Sequence, residues 1–541
     1  MNFCEPVFAH ARQQPAQLAL HLPQMRGRRQ RAVQQISYGD LLTRVGALQT
    51  GLLQQGYTRG DRVIIVLRPC IELYALTLAL LGLGMVPVFV DAGMPRALIQ
   101  AAIQASGARA LISHRRILWL TCWWSSLRPL DRFCLEDTGP GFRPLKQLQR
   151  LGGPVRCASM TADEFGLITF TSGSTGKPKG ANRTHGSLIA QHHAIRQHWP
   201  DQPGDIDMPC FPVLVLHNLC CGMTTAMPPL DLARPALGDG RAALDAIRQM
   251  RVTRLSGAPA WIENVARAAL KTPKKARFLR EIVIGGAAVS EARQELFRRA
   301  FAHAQIRIVY GSTEAEPVSD IELDQALAAV KQDGYLVGPP APGCELALVD
   351  PALALEHEQA VEAARVKPGQ CGEILVRGDH VLKGYVDNPE ADRENKIACA
   401  NGLVWHRTGD TGWLDPQGRL WLAGRVKDRI HSSAGSFEVF PAEIVIERRP
   451  EVHRAALVQQ DDVLAVFLVL EQKLTPQLLQ LLQQLMASMQ INSMQLHVTR
   501  ALPMDRRHNS KIDRPALRQR LARGQTPHRI LTLETTCQSN P

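Results

Sequence analysis

Thr171, Ser172, Ser174 and Thr175 are interleaved with Gly173 and Gly176 ahead of Lys177 in the stretch TFTSGSTGKPKGANRTH, residues 169–185. Glycines at 173, 176 and 180 free the backbone to approach an anion closely, the hydroxyls add donors, and Lys177 adds a full positive charge. A polyphosphate is the guest such a loop suits. It is not a Walker loop, which needs G-x-x-x-x-G-K-[ST]: Gly173 stands only three positions before Gly176, and Pro178 occupies the Ser/Thr site. Residue types alone leave a second possibility open, because Ser, Gly and Lys also make ordinary surface turns.

The elements that must position this loop follow from hydrophobic pattern. Apolar strand-like runs stand at 62–67, 85–90, 108–113, 165–171, 254–259, 281–286 and 306–311, with helix-period segments such as 38–56 and 290–303 between them. This alternation predicts an α/β fold with parallel sheets covered by helices, where ligands sit beyond the carboxyl ends of strands. The uncharged stretch 73–90 approaches the length of a membrane span, but Gly82, Gly84 and Pro87 divide it into a buried helix, a turn and a buried strand. After about residue 340 short strands separated by turns predict a β-rich subdomain. Beyond Arg425 a strand at 462–470, a helix at 475–490 and a strand at 494–500 predict a small α+β domain, and the final TLETTCQSNP a frayed tail.

Composition narrows the function classes. With 541 residues the chain exceeds one hydrophobic core, and 45% apolar with 21% charged residues is ordinary globular usage. The net charge of +13 is carried mostly by scattered arginines without aromatic interleaving, which argues against nucleic acid and allows at most peripheral membrane contact. Twelve cysteines without a CxxC pair fit neither zinc nor a disulfide framework, and Glu5, His10 and Arg12 interrupt any signal peptide. A cytoplasmic protein is expected.

TSGSTGKPKG resembles the phosphate loop of the adenylate-forming superfamily, which includes acyl-CoA synthetases, peptide-synthetase adenylation domains and luciferases. Four further motifs follow in the family order: VYGSTEAEP (309–317), WHRTGDTGWLD (405–415), GRVKDRI (424–430) and HNSKID (508–513). The stretches 210–236, 404–425 and 502–514 look most like the olefin-pathway β-lactone synthetases, which activate β-hydroxy acids. The segment GRVKDRIHSSAGSFEVFPAE is longer than in ordinary CoA ligases and keeps only Gly435 of their Gly-Gly pair, as in that branch.

The resemblance implies ATP and Mg²⁺ as cofactors and a role for each motif residue. Glu314 would hold Mg²⁺, a hard ion suited to oxygen ligands, and Thr313 would touch the α-phosphate. Tyr310, Gly311 and Ser312, with Gly286 and Ala287, would line the adenine slot. Asp410, acceptor-only when ionised, suits a ribose diol, and Arg425 would reach the same sugar. Lys511, a compact charge on a flexible stem, would be swung into the site by domain closure. His217 would bound an acyl pocket. A body over residues 1–422 and a mobile lid over 423–541 are implied.

The expected reaction is adenylation of a fatty-type, 3-hydroxy acid, followed by intramolecular β-lactone formation with release of AMP. A fatty acid–CoA ligase, with CoA as acceptor, is the alternative, and a nucleotide-binding relic without chemistry the non-enzymatic one.

Overall fold

The helix Ile71–Gly82 is buried at every position but Glu72, so it has no polar face to turn outward. It packs in one core with Leu20 and Leu22 of one sheet and Val63 and Ile65 of another, and so fills the space between them. Gly84, with φ of 72°, turns the chain from this helix into the strand Val86–Val90. The divided apolar stretch is thus two buried elements, and among the described residues no helix is long and apolar enough to cross a membrane. The computed structural model describes all residues except 27–28, 91–93, 137–140, 150–151, 173–176, 233, 462, 506–510, 525–529 and 535–541.

The first of the two sheets, seven-stranded, runs Arg143–Pro144, Asp131–Cys134, Ala110–Ser113, Arg62–Val66, Val86–Val90, Phe165–Ser172 and Pro178–Thr184. All neighbours are parallel except the last pair, an antiparallel hairpin in which Thr171 faces Lys179 and Ser172 faces Pro178. The second, eight-stranded, has a parallel centre, Ile206–Pro209, Arg254–Gly257, Glu281–Gly285 and Gln305–Ser312. The antiparallel strand Ala315–Glu322 closes one edge, and the hairpin Leu18–Arg26 and Arg29–Ser37, which periodicity did not indicate, closes the other. The chain is α/β with parallel sheets, as the alternation predicts.

A β-rich layer follows, in which Val404–Leu414 pairs with both Gly372–Arg377 and Leu420–Arg425. From Ile430 onward the residues form their own core, where Leu478, Leu482 and Met486 of the helix Pro476–Ser488 lie against Leu457, Val466 and Leu496 of a four-stranded sheet. One expectation is corrected: the C-terminal segment does not begin as a frayed end, because Ile530–Glu534 is a strand paired with Ser493–Val498. Leu533 of this strand is half-buried against the C-terminal core.

Candidate active site

The strands Gln305–Ser312 and Ala315–Glu322 leave Thr313 and Glu314 as a two-residue turn between the paired Ser312 and Ala315. Ser312 Oγ accepts from the Glu314 backbone N–H at 3.2 Å, and the Glu314 carbonyl accepts from Leu382 N at 2.8 Å. Arg183, on the strand behind the phosphate loop, donates to Thr313 O at 3.0 Å. The turn is therefore held from three sides, which fixes where the Glu314 carboxylate starts.

That carboxylate meets a cluster. Tyr385 OH donates to Glu314 Oε1 at 3.0 Å. Two ammonium groups approach the Tyr385 ring, Lys179 Nζ at 5.4 Å and Lys396 Nζ at 5.5 Å from its centroid, and Lys396 also donates to Leu382 O. Burial alone would raise the Glu314 carboxyl, but the imidazole of His406, the ammonium of Lys396 and the Tyr385 hydroxyl outweigh it and hold it below the usual carboxylate range. His406 is itself pushed down by burial and by Lys396, so at neutral pH Lys396 is the cation facing Glu314. Burial brings Lys396 down to about 8 against the pull of Glu314 and Asp392. An ionised carboxylate at a tight turn is a donor Mg²⁺ takes readily.

Tyr310 and Asp410 come from different sheets and meet, the phenol donating to Asp410 Oδ2 at 2.8 Å. Asp410 faces Arg425 across the hairpin, and Arg425 Nε lies 3.0 Å from Asp410 Oδ1. Tyr310, Asp410 and Arg425 are thus linked in one chain of polar contacts. Asp410 raises the Arg425 guanidinium above its ordinary value, against the opposing effect of burial. Gly286 follows the strand Glu281–Gly285 with φ of 84°, and the Cβ of any other residue there would lie 3.5 Å from Phe211, so backbone conformation rather than space calls for glycine. Ala287 beside it is half-buried.

The other expected residues are dispersed. Thr171 and Ser172 end their strand, and Gly173, Ser174, Thr175 and Gly176 lie outside the described residues. Lys177 is exposed, its ammonium 2.7 Å from Glu390 Oε2. Lys511 is exposed in the segment between Met504 and Ile512, which pair as an isolated bridge, and its backbone N–H donates to Asp505 Oδ1 at 2.7 Å.

His217 is buried on the helix Pro212–Cys221, with Nδ1 3.0 Å from His192 Nδ1 and Nε2 3.5 Å from Cys221 Sγ. Among the described residues, one potential ligand atom each from His192, His217 and Cys221 lie within 4.8 Å of one another. The adjoining cavity is lined by Ile195, Leu214 and Val283, but also by Asp207, Asn218 and Arg254. Beside the apolar residues stand polar contacts: Asn218 Nδ2 donates to Asp207 Oδ2 at 2.8 Å, and Arg254 lies 3.3 Å from Glu281.

Tyr385, Lys396, Lys179, Arg183 and His406 carried no role in the sequence reading. His406 lies inside the quoted motif WHRTGD, yet nothing in its spacing points to Glu314. Tyr385 stands far from Glu314 along the chain and reaches it only because Leu382 pairs with the turn.

With this geometry in place, the chain belongs to the AMP-binding enzyme family, whose model matches residues 7–386. It is 32% identical over 485 residues to an olefin β-lactone synthetase of Xanthomonas campestris pv. campestris, covering 84% of this chain and 85% of that protein. It is also 32% identical over 534 residues to the olefin β-lactone synthetase of Stenotrophomonas maltophilia, covering 94% and 95%. Among solved structures, o-succinylbenzoate coenzyme A synthetase of Bacillus subtilis in complex with ATP and magnesium superposes with a TM-score of 0.75 at 20% identity, over 95% of this chain and 98% of that one. This last likeness is one of fold.

Proposed function

We propose that the protein joins a 3-hydroxy fatty-type acid to ATP, giving acyl-AMP and pyrophosphate, and then closes the acyl-AMP to a β-lactone with release of AMP. The observation that carries this reading is the similarity, over nearly the whole chain, to two proteins named for β-lactone synthesis.

In the first step a carboxylate oxygen forms a bond to the α-phosphorus while the bond to pyrophosphate breaks. Two anions meet and more charge departs, so the chain must concentrate positive charge and donors where charge builds up. The loop Thr171–Lys177 holds the terminal phosphates, and Thr313 the α-phosphate. Tyr310, Gly286 and Ala287 receive the adenine, and Asp410 with Arg425 the ribose. Glu314, oriented by Tyr385 and kept ionised beside Lys396, would hold Mg²⁺, which would supply charge neutralisation for the phosphates. Lys511, on a lid over 423–541, enters when the lid closes.

In the second step the β-hydroxyl oxygen attacks the acyl carbon, the bond from that carbon to the AMP oxygen breaks, and the hydroxyl proton is lost. The nucleophile is already tethered, which removes the entropy of a second encounter. Transfer to CoA is the competing second half. Purified protein given ATP, Mg²⁺ and either a 3-hydroxy acid or its 3-deoxy analogue, with and without CoA, separates the two. The proposal expects AMP and lactone from the 3-hydroxy acid without CoA, and sustained AMP release that requires CoA with either acid contradicts it.

A further inference from the structure

Trp119 is 67% exposed, Leu120 56% and Trp123 83%, all within one short segment of the first sheet's helical layer. Tryptophan in a folded protein is mostly covered, so two such rings side by side mark an interaction surface. They lie on or just after the helix Arg115–Leu120. The chain goes on in helical-type turns beyond it, Thr121 N–H donating to Ile117 O at 3.0 Å and Trp124 N–H to Thr121 O at 3.0 Å. Trp119, Leu120 and Trp123 are therefore exposed together within one helix end and the turn that follows it. The opposite side is anchored, with Leu118 only 1% exposed and packed in the core with Leu127. Trp124, next in the chain, is by contrast drawn in, with the Arg96 guanidinium 5.1 Å from its ring. The outward rings are thus a feature of the fold and not of a loose end.

Charge selects the partner. Arg115 and Arg116 are exposed at the start of the same helix, Arg128 is exposed beyond it, and no Asp or Glu occurs from His114 to Leu130. The carboxylate at the base of the helix, Glu136, is engaged by His114 Nδ1 at 2.8 Å and by the Arg115 backbone N–H at 2.8 Å. Indole rings flanked by arginines match the interfacial zone of an anionic bilayer, where amphipathic rings sit at headgroup depth and cations meet lipid phosphates. The exposed apolar area of these side chains is on the order of a few hundred Å², short of the ~800 Å² per partner of a stable protein interface. It is enough to anchor a protein reversibly to a lipid surface.

We infer that the Trp119–Leu120–Trp123 face, with Arg115 and Arg116, docks the protein reversibly on anionic lipid bilayers. Co-sedimentation of the full chain with vesicles of phosphatidylcholine alone and of phosphatidylcholine with phosphatidylglycerol tests this. The protein is expected to pellet with the anionic vesicles and to be released by high salt. Trp119→Ser/Trp123→Ser should weaken partition by about tenfold or more, the scale on which burial of two rings acts. Arg115→Gln/Arg116→Gln should reduce binding to anionic vesicles selectively, because each cation near the surface adds to the attraction. Lys271→Gln/Lys274→Gln, altering exposed lysines on another face, should change little. Thermal melts of all variants should match the parent. Recovery of the unaltered protein in the supernatant overturns the inference, as does equal binding by the tryptophan variant or an equal loss in the lysine control. Self-association that vanishes in the tryptophan variant, without vesicle binding, overturns it in favour of a protein partner.

Discussion

At Glu314 four constraints converge: a two-residue turn, a hydroxyl from Tyr385, an ammonium from Lys396 and a backbone tie to Leu382. A carboxylate kept ionised and aimed before any ligand arrives avoids the cost of ordering it during the reaction. Glu314→Gln keeps the shape and removes the charge, so ATP–pyrophosphate exchange should fall by about 10²–10³-fold with the melting temperature nearly unchanged. Tyr385→Phe removes one hydrogen bond to a charged group, worth ~1.5–3 kcal/mol, and the same exchange should slow by about 10–100-fold. Exchange at the parent rate in Tyr385→Phe would show that the hydroxyl does not orient Glu314. The motif YGSTE marks Glu314 in the sequence, whereas Tyr385 and Lys396 become visible only when the third layer folds against the turn. Their link to Glu314 is long-range and leaves no local spacing to read.

Among the elements, parallel strands such as Arg62–Val66 and Glu281–Gly285 were legible as short apolar runs bounded by turn residues, whereas Asp131–Cys134 and Ile206–Pro209, equally parallel, carry charged residues and were not. The hairpin Leu18–Arg26 and Arg29–Ser37 was not, since LALHLPQMR and RQRAVQQIS carry too many polar residues to stand out as buried strands. The helix Pro212–Cys221 carries a polar tie that its apolar run does not announce: Asn218 donates to Asp207 of the strand Ile206–Pro209. Burial pushes the Asp207 carboxyl up to about 6, against the opposing pulls of Arg254 and Asn218. The unfolded carboxyl titrates near ~3.9, so between about pH 4 and 6 the folded chain holds a proton that the unfolded chain has lost. This group therefore lowers stability as pH rises through that window. Asp207→Asn should stabilise the protein at pH 7 by roughly 1–3 kcal/mol, and the gain should shrink towards zero below about pH 4, as followed by urea denaturation across pH. A gain that persists unchanged at low pH would exclude this origin.

On the scale of the whole molecule, the C-terminal sheet has its own core and meets the body through the helix Val439–Glu447 and the arginine that follows it. Arg448 donates to Glu291 Oε1 at 2.9 Å, to Asp333 Oδ1 at 2.8 Å and to Gln332 O at 2.9 Å, all on the body. Half-exposed ion pairs of this kind contribute about 1 kcal/mol or less, weak enough for a lid to release. Arg448→Ala should speed amide exchange in Val439–Glu447 several-fold while exchange in the strands of the parallel sheets stays as it was. The separate C-terminal core was legible from the strand–helix–strand pattern beyond Arg425, but the clamp was not, because Glu291, Asp333 and Arg448 are separated in sequence and meet only in space. The measurement that bears most directly on the account is the fate of the acid's oxygen. With a 3-hydroxy acid carrying ¹⁸O in its carboxyl group, ATP and Mg²⁺, attack on the α-phosphorus places one ¹⁸O in the AMP released and none in pyrophosphate. Label appearing in inorganic phosphate or pyrophosphate, or AMP formed without label, would contradict it.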